Sequence, residues 1–238
     1  MDLFAEVAGG GSTVVLVHAG ICDSGMWAPQ WDAFPAAHRT VRYDLRGFGR
    51  SEDTESTIAA VRALGVTVHD DDVDELRIEG AGLRGLREPG GPIDCGNSGT
   101  TLRLLAGILA GQEGRFELAG DESLSRRPVD RIAEPLAQMG ARVESADGRP
   151  PFVLEDGALR GIRYELPVAS AQVKSCVLLA GLYAHGRTTV VEPLLTRDHT
   201  ELMLSAAGVR VRRQQRRVSV GPAESLRLRE VVVPGDFS

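Results

Sequence analysis

A helix, a glycine and a pair of strands recur three times between residues 58 and 228. A chain built this way has few folds open to it, because each copy can bury its apolar face only against its neighbours. The copies run from Ile58 to Val68 (Ala63-Leu64-Gly65-Val66-Thr67-Val68), from Ile132 to Val143 (Gln138-Met139-Gly140-Ala141-Arg142-Val143) and from Leu202 to Val211 (Ala206-Ala207-Gly208-Val209-Arg210-Val211). In each, the glycine stands where a helix ends on a residue of positive φ. A further strand is predicted after each copy, at Leu76-Arg77-Ile78, Phe152-Val153-Leu154 and Val218-Ser219-Val220, with leucine-rich turns beyond at residues 83–86, 159–162 and 226–228. Between the copies lies a second half-unit, a helix leading to a Gly-Arg strand. It occurs as Leu104-Leu105-Ala106-Gly107 before Gly114-Arg115-Phe116, and as Leu178-Leu179-Ala180-Gly181 before Gly186-Arg187-Thr188. The full repeat therefore reads β-α-β-α-β-β, an α/β pattern, and its first copy is incomplete.

The 51 residues ahead of the repeats differ from them. Val14-Val15-Leu16-Val17 is a continuous apolar run suited to a buried parallel strand. It is followed by the loop His18-Ala19-Gly20, a helix through Met26, Trp27, Trp31 and Phe34, and a second strand over Thr40-Val41-Arg42-Tyr43-Asp44 that ends in Leu45-Arg46-Gly47-Phe48-Gly49-Arg50-Ser51. Two domains are expected, 1–51 and 52–238, joined near residues 51–53.

Composition narrows the function. The 238 residues are 42% hydrophobic and 25% charged, as in an ordinary globular protein. A net charge of −6 repels nucleic acid and anionic membranes, so no nucleic-acid partner is expected and any anionic ligand needs a local cationic cluster. Cys22, Cys95 and Cys176 are odd in number and lack CxxC spacing, which indicates neither a disulfide framework nor a metal site. The start Met1-Asp2-Leu3-Phe4 has no basic, apolar leader and no apolar run approaches the ~20 residues that span a bilayer, so a soluble protein of the cytoplasm is expected, without a membrane partner. Lys174 is the single lysine and Asn97 the single asparagine of an arginine-rich chain, which reads either as chance under a bias toward arginine or as two positions where chemistry needs that residue type.

Four stretches at loop-to-helix junctions carry candidate chemistry. Asp94-Cys95-Gly96-Asn97-Ser98-Gly99-Thr100-Thr101-Leu102-Arg103 offers glycines, hydroxyls and free backbone N–H groups at a helix start, a geometry that suits an anion and equally an ordinary Ser-capped helix. Gly120-Asp121-Glu122-Ser123-Leu124-Ser125-Arg126-Arg127-Pro128 places Arg127 just before a proline at a helix start, where it can grip a phosphate or carboxylate bidentately, or remain solvated. Val168-Ala169-Ser170-Ala171-Gln172-Val173-Lys174-Ser175 and Leu195-Thr196-Arg197-Asp198-His199-Thr200-Glu201 open two further helices. Parallel helices gather all four stretches on one face.

Together these four stretches resemble the enolpyruvyl transferases, and among them the 5-enolpyruvylshikimate 3-phosphate synthase family rather than the sister family acting on UDP-N-acetylglucosamine. The resemblance covers residues 53–238. It implies a lobe of repeated β-α-β-α-β-β units with helices packed inward, whose first unit is incomplete here. It implies that Ser170, Gln172 and Arg197 hold shikimate 3-phosphate, that Asn97, Gly99, Arg127 and Gln172 line a phosphoenolpyruvate pocket, and that Lys174 assists with anions. The implied reaction joins a ring hydroxyl to the enol carbon of phosphoenolpyruvate through a tetrahedral intermediate that expels phosphate, with no metal or organic cofactor. The family's Lys-Ser motif and its second lobe, which supplies the acid/base residues, have no counterpart in this sequence. Turnover is therefore expected to be impaired and to need a partner chain supplying that lobe. The alternative is a truncated fusion product without catalysis.

Residues 1–51 resemble the start of an α/β-hydrolase, with Val14 to Gly20 as strand and oxyanion loop. Hydrolysis would also require a G-x-S-x-G elbow, and no such pentapeptide is present: Gly96-Asn97-Ser98-Gly99-Thr100 lacks the last glycine. His18 is accordingly read as a loop residue.

Overall fold

The computed structural model describes residues 5–8, 10, 12–17, 31, 33–37, 39–43, 54–69 and 77–227. The chain divides into two compact units, residues 1–56 with 231–238, and residues 57–230.

In the first unit β1 (Ala5–Ala8), β2 (Thr13–Val17) and β3 (Arg39–Tyr43) form a sheet of order β1-β3-β2. The apolar run of β2, expected as a parallel strand, pairs in parallel with β3, Thr13 opposite Arg39 through to Val17 opposite Tyr43. β1, which the sequence did not announce, pairs antiparallel on the other side of β3. Phe34, expected on a helix, stands in a 3-10 turn with Pro35 beside it, where the fixed φ of proline suits a turn opening. Met26, Trp27, His18 and residues 45–51 lie outside the described residues.

The second unit contains the repeats. Its elements are α1 (Thr54–Ala63), which begins just ahead of the unit boundary, β4 (Thr67–His69), β5 (Arg77–Glu79), β6 (Ile93–Asp94), α2 (Gly99–Leu109), β7 (Arg115–Ala119), α3 (Glu122–Ser125), α4 (Asp130–Met139), β8 (Arg142–Ala146), β9 (Arg149–Glu155), β10 (Arg163–Glu165), α5 (Ala171–Gly181), β11 (Thr188–Val191), α6 (His199–Ala206), β12 (Arg212–Gln214) and β13 (Arg217–Val220). Two sheets have the same plan, β6-β7-β9-β8 and β10-β11-β13-β12. In both the first pair is parallel and the remaining pairs are antiparallel. The antiparallel pair β4-β5 corresponds to β8-β9 and β12-β13, so the first repeat is present here as its second half.

The glycine that ends each repeat helix does the same work three times. Gly65, Gly140 and Gly208 have φ of +86°, +102° and +87°. Each closes its helix with the same pair of bonds: the next residue donates to a carbonyl five back (Val66 to Val61, Ala141 to Leu136, Val209 to Leu204), and the glycine donates three back. Those are the two bonds of a Schellman motif, which turns the chain out of the helix and into the following strand. After Gly208 that strand begins at Arg212, slightly later than the predicted Arg210-Val211.

The core lies between the sheets and two central helices. Phe116 faces Leu154 and Leu118 faces Phe152 across β7 and β9, all four fully buried. Along α5 the run Val173 to Leu178 is buried, and α2 buries seven of its eleven residues. The two helices approach closely enough that a Cβ on Gly107 would lie 2.4 Å from Cys176 O and 2.9 Å from Cys176 Cα. Contacts advance in one direction along both, from Thr100 and Arg103 with Gln172, through Gly107 with Cys176, to Gly111 with Tyr183, so the helices run parallel.

Burial also fixes the state of two thiols. Cys95 and Cys176 are free, with 0% exposure, and burial pushes each thiol up to about 12, helped at Cys95 by the neighbouring Asp94. The thiolate is the reactive form. At pH 8 iodoacetamide is therefore expected to leave both unlabelled in the native protein and to label both after unfolding, as read by peptide mass spectrometry. Rapid native labelling of either would contradict the packing described.

Candidate active site

Helix starts assemble the site. Ser98 caps α2, its Oγ accepting from Thr101 N at 3.1 Å, and Ser170 caps α5, its Oγ accepting from Val173 N at 3.3 Å. Asp121 caps α3 through Oδ1, 2.8 Å from Leu124 N. Hydroxyl pairs near the helix starts then tie the helices to one another: Thr57 Oγ1 of α1 lies 2.7 Å from Thr101 Oγ1 of α2, and Ser175 Oγ of α5 lies 2.7 Å from Thr200 Oγ1 of α6. The N-terminal turns of four helices thus meet at one end of the unit. Their free N–H groups and dipoles favour an anion there.

Side chains add charge to that end. Gln172 bridges α5 to α2, donating Nε2 to Thr100 Oγ1 at 2.7 Å and accepting at Oε1 from Arg103 Nη1 at 2.9 Å. Arg103 Nη1 also donates to Gly99 O at 3.0 Å. Arg127 donates Nη2 to Asn97 Oδ1 at 2.5 Å and to Ser123 Oγ at 3.4 Å, while Asn97 Nδ2 donates to Asp121 Oδ2 at 2.8 Å. The two guanidiniums flank Gly99: a Cβ there would lie 2.5 Å from Arg103 Nη1 and 3.3 Å from Arg127 Nη1. Burial, then the like charges of Arg127 and Arg131, lower the pKa of Arg103. An anion placed between these guanidiniums relieves that repulsion, which is what a binding site for phosphate or carboxylate requires.

The structure thus brings together Asn97, Gly99, Arg127 and Gln172, with Ser170 two residues from Gln172 on the same helix. Arg197 is exposed in the loop before α6 and takes no part in these hydrogen bonds. Lys174, expected to contact a ligand anion, has other partners. It is 0% exposed, its Nζ 3.1 Å from Glu192 Oε1 and 2.7 Å from Glu201 Oε1, both carboxylates equally buried. Its side chain reaches inward because position 174 lies on the core face of α5. Arg103, Arg131 and Asp121 were not singled out from the sequence. Arg103 had a signal, standing one helical turn after Gly99 and so on the same face of α2. Among the described residues no group of three or more His, Cys, Asp or Glu side chains is placed to hold a metal ion, and no helix is long and apolar enough to cross a membrane.

Residues 36–238 match the EPSP synthase (3-phosphoshikimate 1-carboxyvinyltransferase) family. The chain belongs to this family. It is 49% identical over 201 residues to the 3-phosphoshikimate 1-carboxyvinyltransferase of Hydrogenovibrio crunogenus, covering 82% of this chain and 45% of that protein. It is 50% identical over 197 residues to the one of Methylococcus capsulatus, with the same shares. An EPSP synthase structure from Acinetobacter baumannii superposes with a TM-score of 0.73 at 36% identity, over 95% of this chain and 51% of that one. The chain spans less than half the length of these curated relatives, and the repeated sheets described above are the α/β lobe of the EPSP synthase fold. The family match begins at residue 36, upstream of the join expected near residues 51–53.

Proposed function

We propose that this chain is the shikimate 3-phosphate- and phosphoenolpyruvate-binding part of an enolpyruvyl transferase. One observation carries the reading: Gln172 bonded to Arg103 beside Gly99, with Arg127 on Asn97, forms a cationic cluster over converging helix starts in a chain of this family. Phosphoenolpyruvate, with its phosphate and carboxylate, occupies the cluster of Asn97, Gly99, Arg127 and Gln172, to which Arg103 belongs. Shikimate 3-phosphate is held by Ser170, Gln172 and Arg197. Gln172 is common to both, and its amide orients one ligand against the other. The ring hydroxyl adds to the enol carbon, and the fixed arginines stabilise the negative charge of the phosphate that departs.

The proton donor and acceptor for this addition are assigned to a second lobe. A chain supplying that lobe is the expected partner, and the expected setting is the reducing cytoplasm, in keeping with the free thiols of Cys95 and Cys176. We place the boundary of the transferase-like domain near residues 51–53, where the first repeat helix is about to begin.

Calorimetric titration of the chain with shikimate 3-phosphate tests the reading. Saturable binding is expected, weakened about tenfold or more by Arg197→Ala through loss of a charge-assisted hydrogen bond. Phosphate release with both substrates is expected to be negligible for the chain alone and to rise when a polypeptide carrying the other lobe is added. A folded sample that gives no heat with shikimate 3-phosphate would overturn the assignment.

A further inference from the structure

Arg197 stands in a loop with no regular structure, yet its neighbours are fastened on every side. Glu192, at the end of β11, accepts at Oε1 from Thr196 N at 3.1 Å and from Thr196 Oγ1 at 2.5 Å. Asp198 accepts from Arg213 Nη1 of β12 at 2.5 Å. Thr200 meets Ser175 of α5, and Glu201 meets Lys174 of the same helix. The same Nζ of Lys174 touches Glu192 Oε1, the atom that holds Thr196. One lysine therefore grips both ends of the segment that carries Arg197.

We propose that Lys174, with Glu192, Glu201 and Thr196, positions Arg197 against the phosphate of shikimate 3-phosphate. The inference rests on the ligand assignment given above and deepens it. Ser170 caps α5 and Gln172 lies in its first turn, with Lys174 and Ser175 two and three residues beyond Gln172 on the same helix. The ligand residues of α5 and the loop bearing Arg197 are thereby referred to one rigid helix. The backbone of the loop is set by buried charge, and the guanidinium of Arg197 is left exposed for the ligand. This accounts for the single lysine of an arginine-rich chain. An ammonium is a compact point charge that fits between two buried carboxylates, where a planar guanidinium needs a wider space. Lys174 is a positioning residue and touches no substrate.

Thr196 gives the cleanest test, because it is only partly buried and lies outside the ligand contacts. Thr196→Val removes the hydroxyl that bonds Glu192. It is expected to weaken shikimate 3-phosphate binding about tenfold in calorimetry, while phosphoenolpyruvate affinity stays unchanged and Thr196→Ser restores the wild-type value. Combined with Arg197→Ala, Thr196→Val is expected to add less than about twofold, since both act through one side chain. Hydrogen exchange of residues 194–198 in the free protein is expected to quicken in Thr196→Val. Several outcomes overturn the inference while leaving the ligand assignment standing: an unchanged affinity, equal losses with and without Arg197, or a matching loss for phosphoenolpyruvate. Unchanged exchange overturns it as well. A wild-type chain that binds no shikimate 3-phosphate overturns the ligand assignment, and with it the role given to the loop.

Discussion

Lys174→Met is expected to cost about 3–5 kcal/mol of folding stability, a large part of what a domain of this size possesses. The substitution keeps the length and apolar stem of the side chain, so it leaves little cavity. It removes the single ammonium between Glu192 and Glu201, at 3.1 and 2.7 Å, and leaves two carboxylates within the core, each with a side chain about 2% exposed or less. Each would have to remain charged without its counter-ion or become neutral, and both alternatives are costly in a low-dielectric interior. Chemical denaturation read by circular dichroism measures the loss. The triple variant Lys174→Met, Glu192→Gln, Glu201→Gln is expected to recover part of it, because the penalty comes from uncompensated charge more than from lost attraction. A Lys174→Met protein as stable as the wild type would show that the triad is open to water.

Gly107→Val is expected to be nearly as damaging, at about 3 kcal/mol, and to reach the site as well. The atoms a side chain at 107 would strike are Cys176 O and Cα, which belong to the backbone of α5 and cannot rotate away. Relief requires the two helices to part along their length. Parting them separates Gln172 from Thr100 and Arg103, which α5 and α2 present only one to two turns away. The expected result is a lowered melting temperature together with weakened phosphoenolpyruvate binding that a stabilising osmolyte does not restore. Gly107→Ala, with a single added carbon, is expected to show the same pattern at smaller amplitude. Retention of full affinity in a destabilised Gly107→Val protein would mean that the site does not depend on helix spacing.

What the sequence revealed follows from where each signal resides. The three glycines that close the repeat helices were legible because a positive φ at a helix end is a local demand. All three form the bonds expected of them. The duplicated sheet was legible because the repeat fixes the order of its strands, and the half-unit at β4-β5 followed from the same count. β1 escaped notice because Ala5–Ala8 is short and gains its identity only by pairing with β3, some thirty residues on. Lys174 was legible as an exceptional position, yet its partners at 192 and 201 stand just after β11 and on α6, and nothing near 174 names them. Arg103 was overlooked for the opposite reason: its signal was local, but an arginine on a helix acquires meaning only when Gln172 arrives from another repeat.

The hydrogen bonds of Arg103 and Arg127 all end on neutral oxygens, those of Gly99, Gln172, Asn97 and Ser123. Under the proposed ligand assignment such a site keeps its positive charge for the ligand and is expected to discriminate little among the small dianions of a laboratory buffer. Phosphate or sulfate at tens of millimolar competes for the same two guanidiniums, and ionic strength screens whatever remains exposed. Affinities for this protein are thus expected to acquire meaning only with the composition of the solution attached, and a purification finished in phosphate is expected to deliver a chain whose proposed site is already engaged.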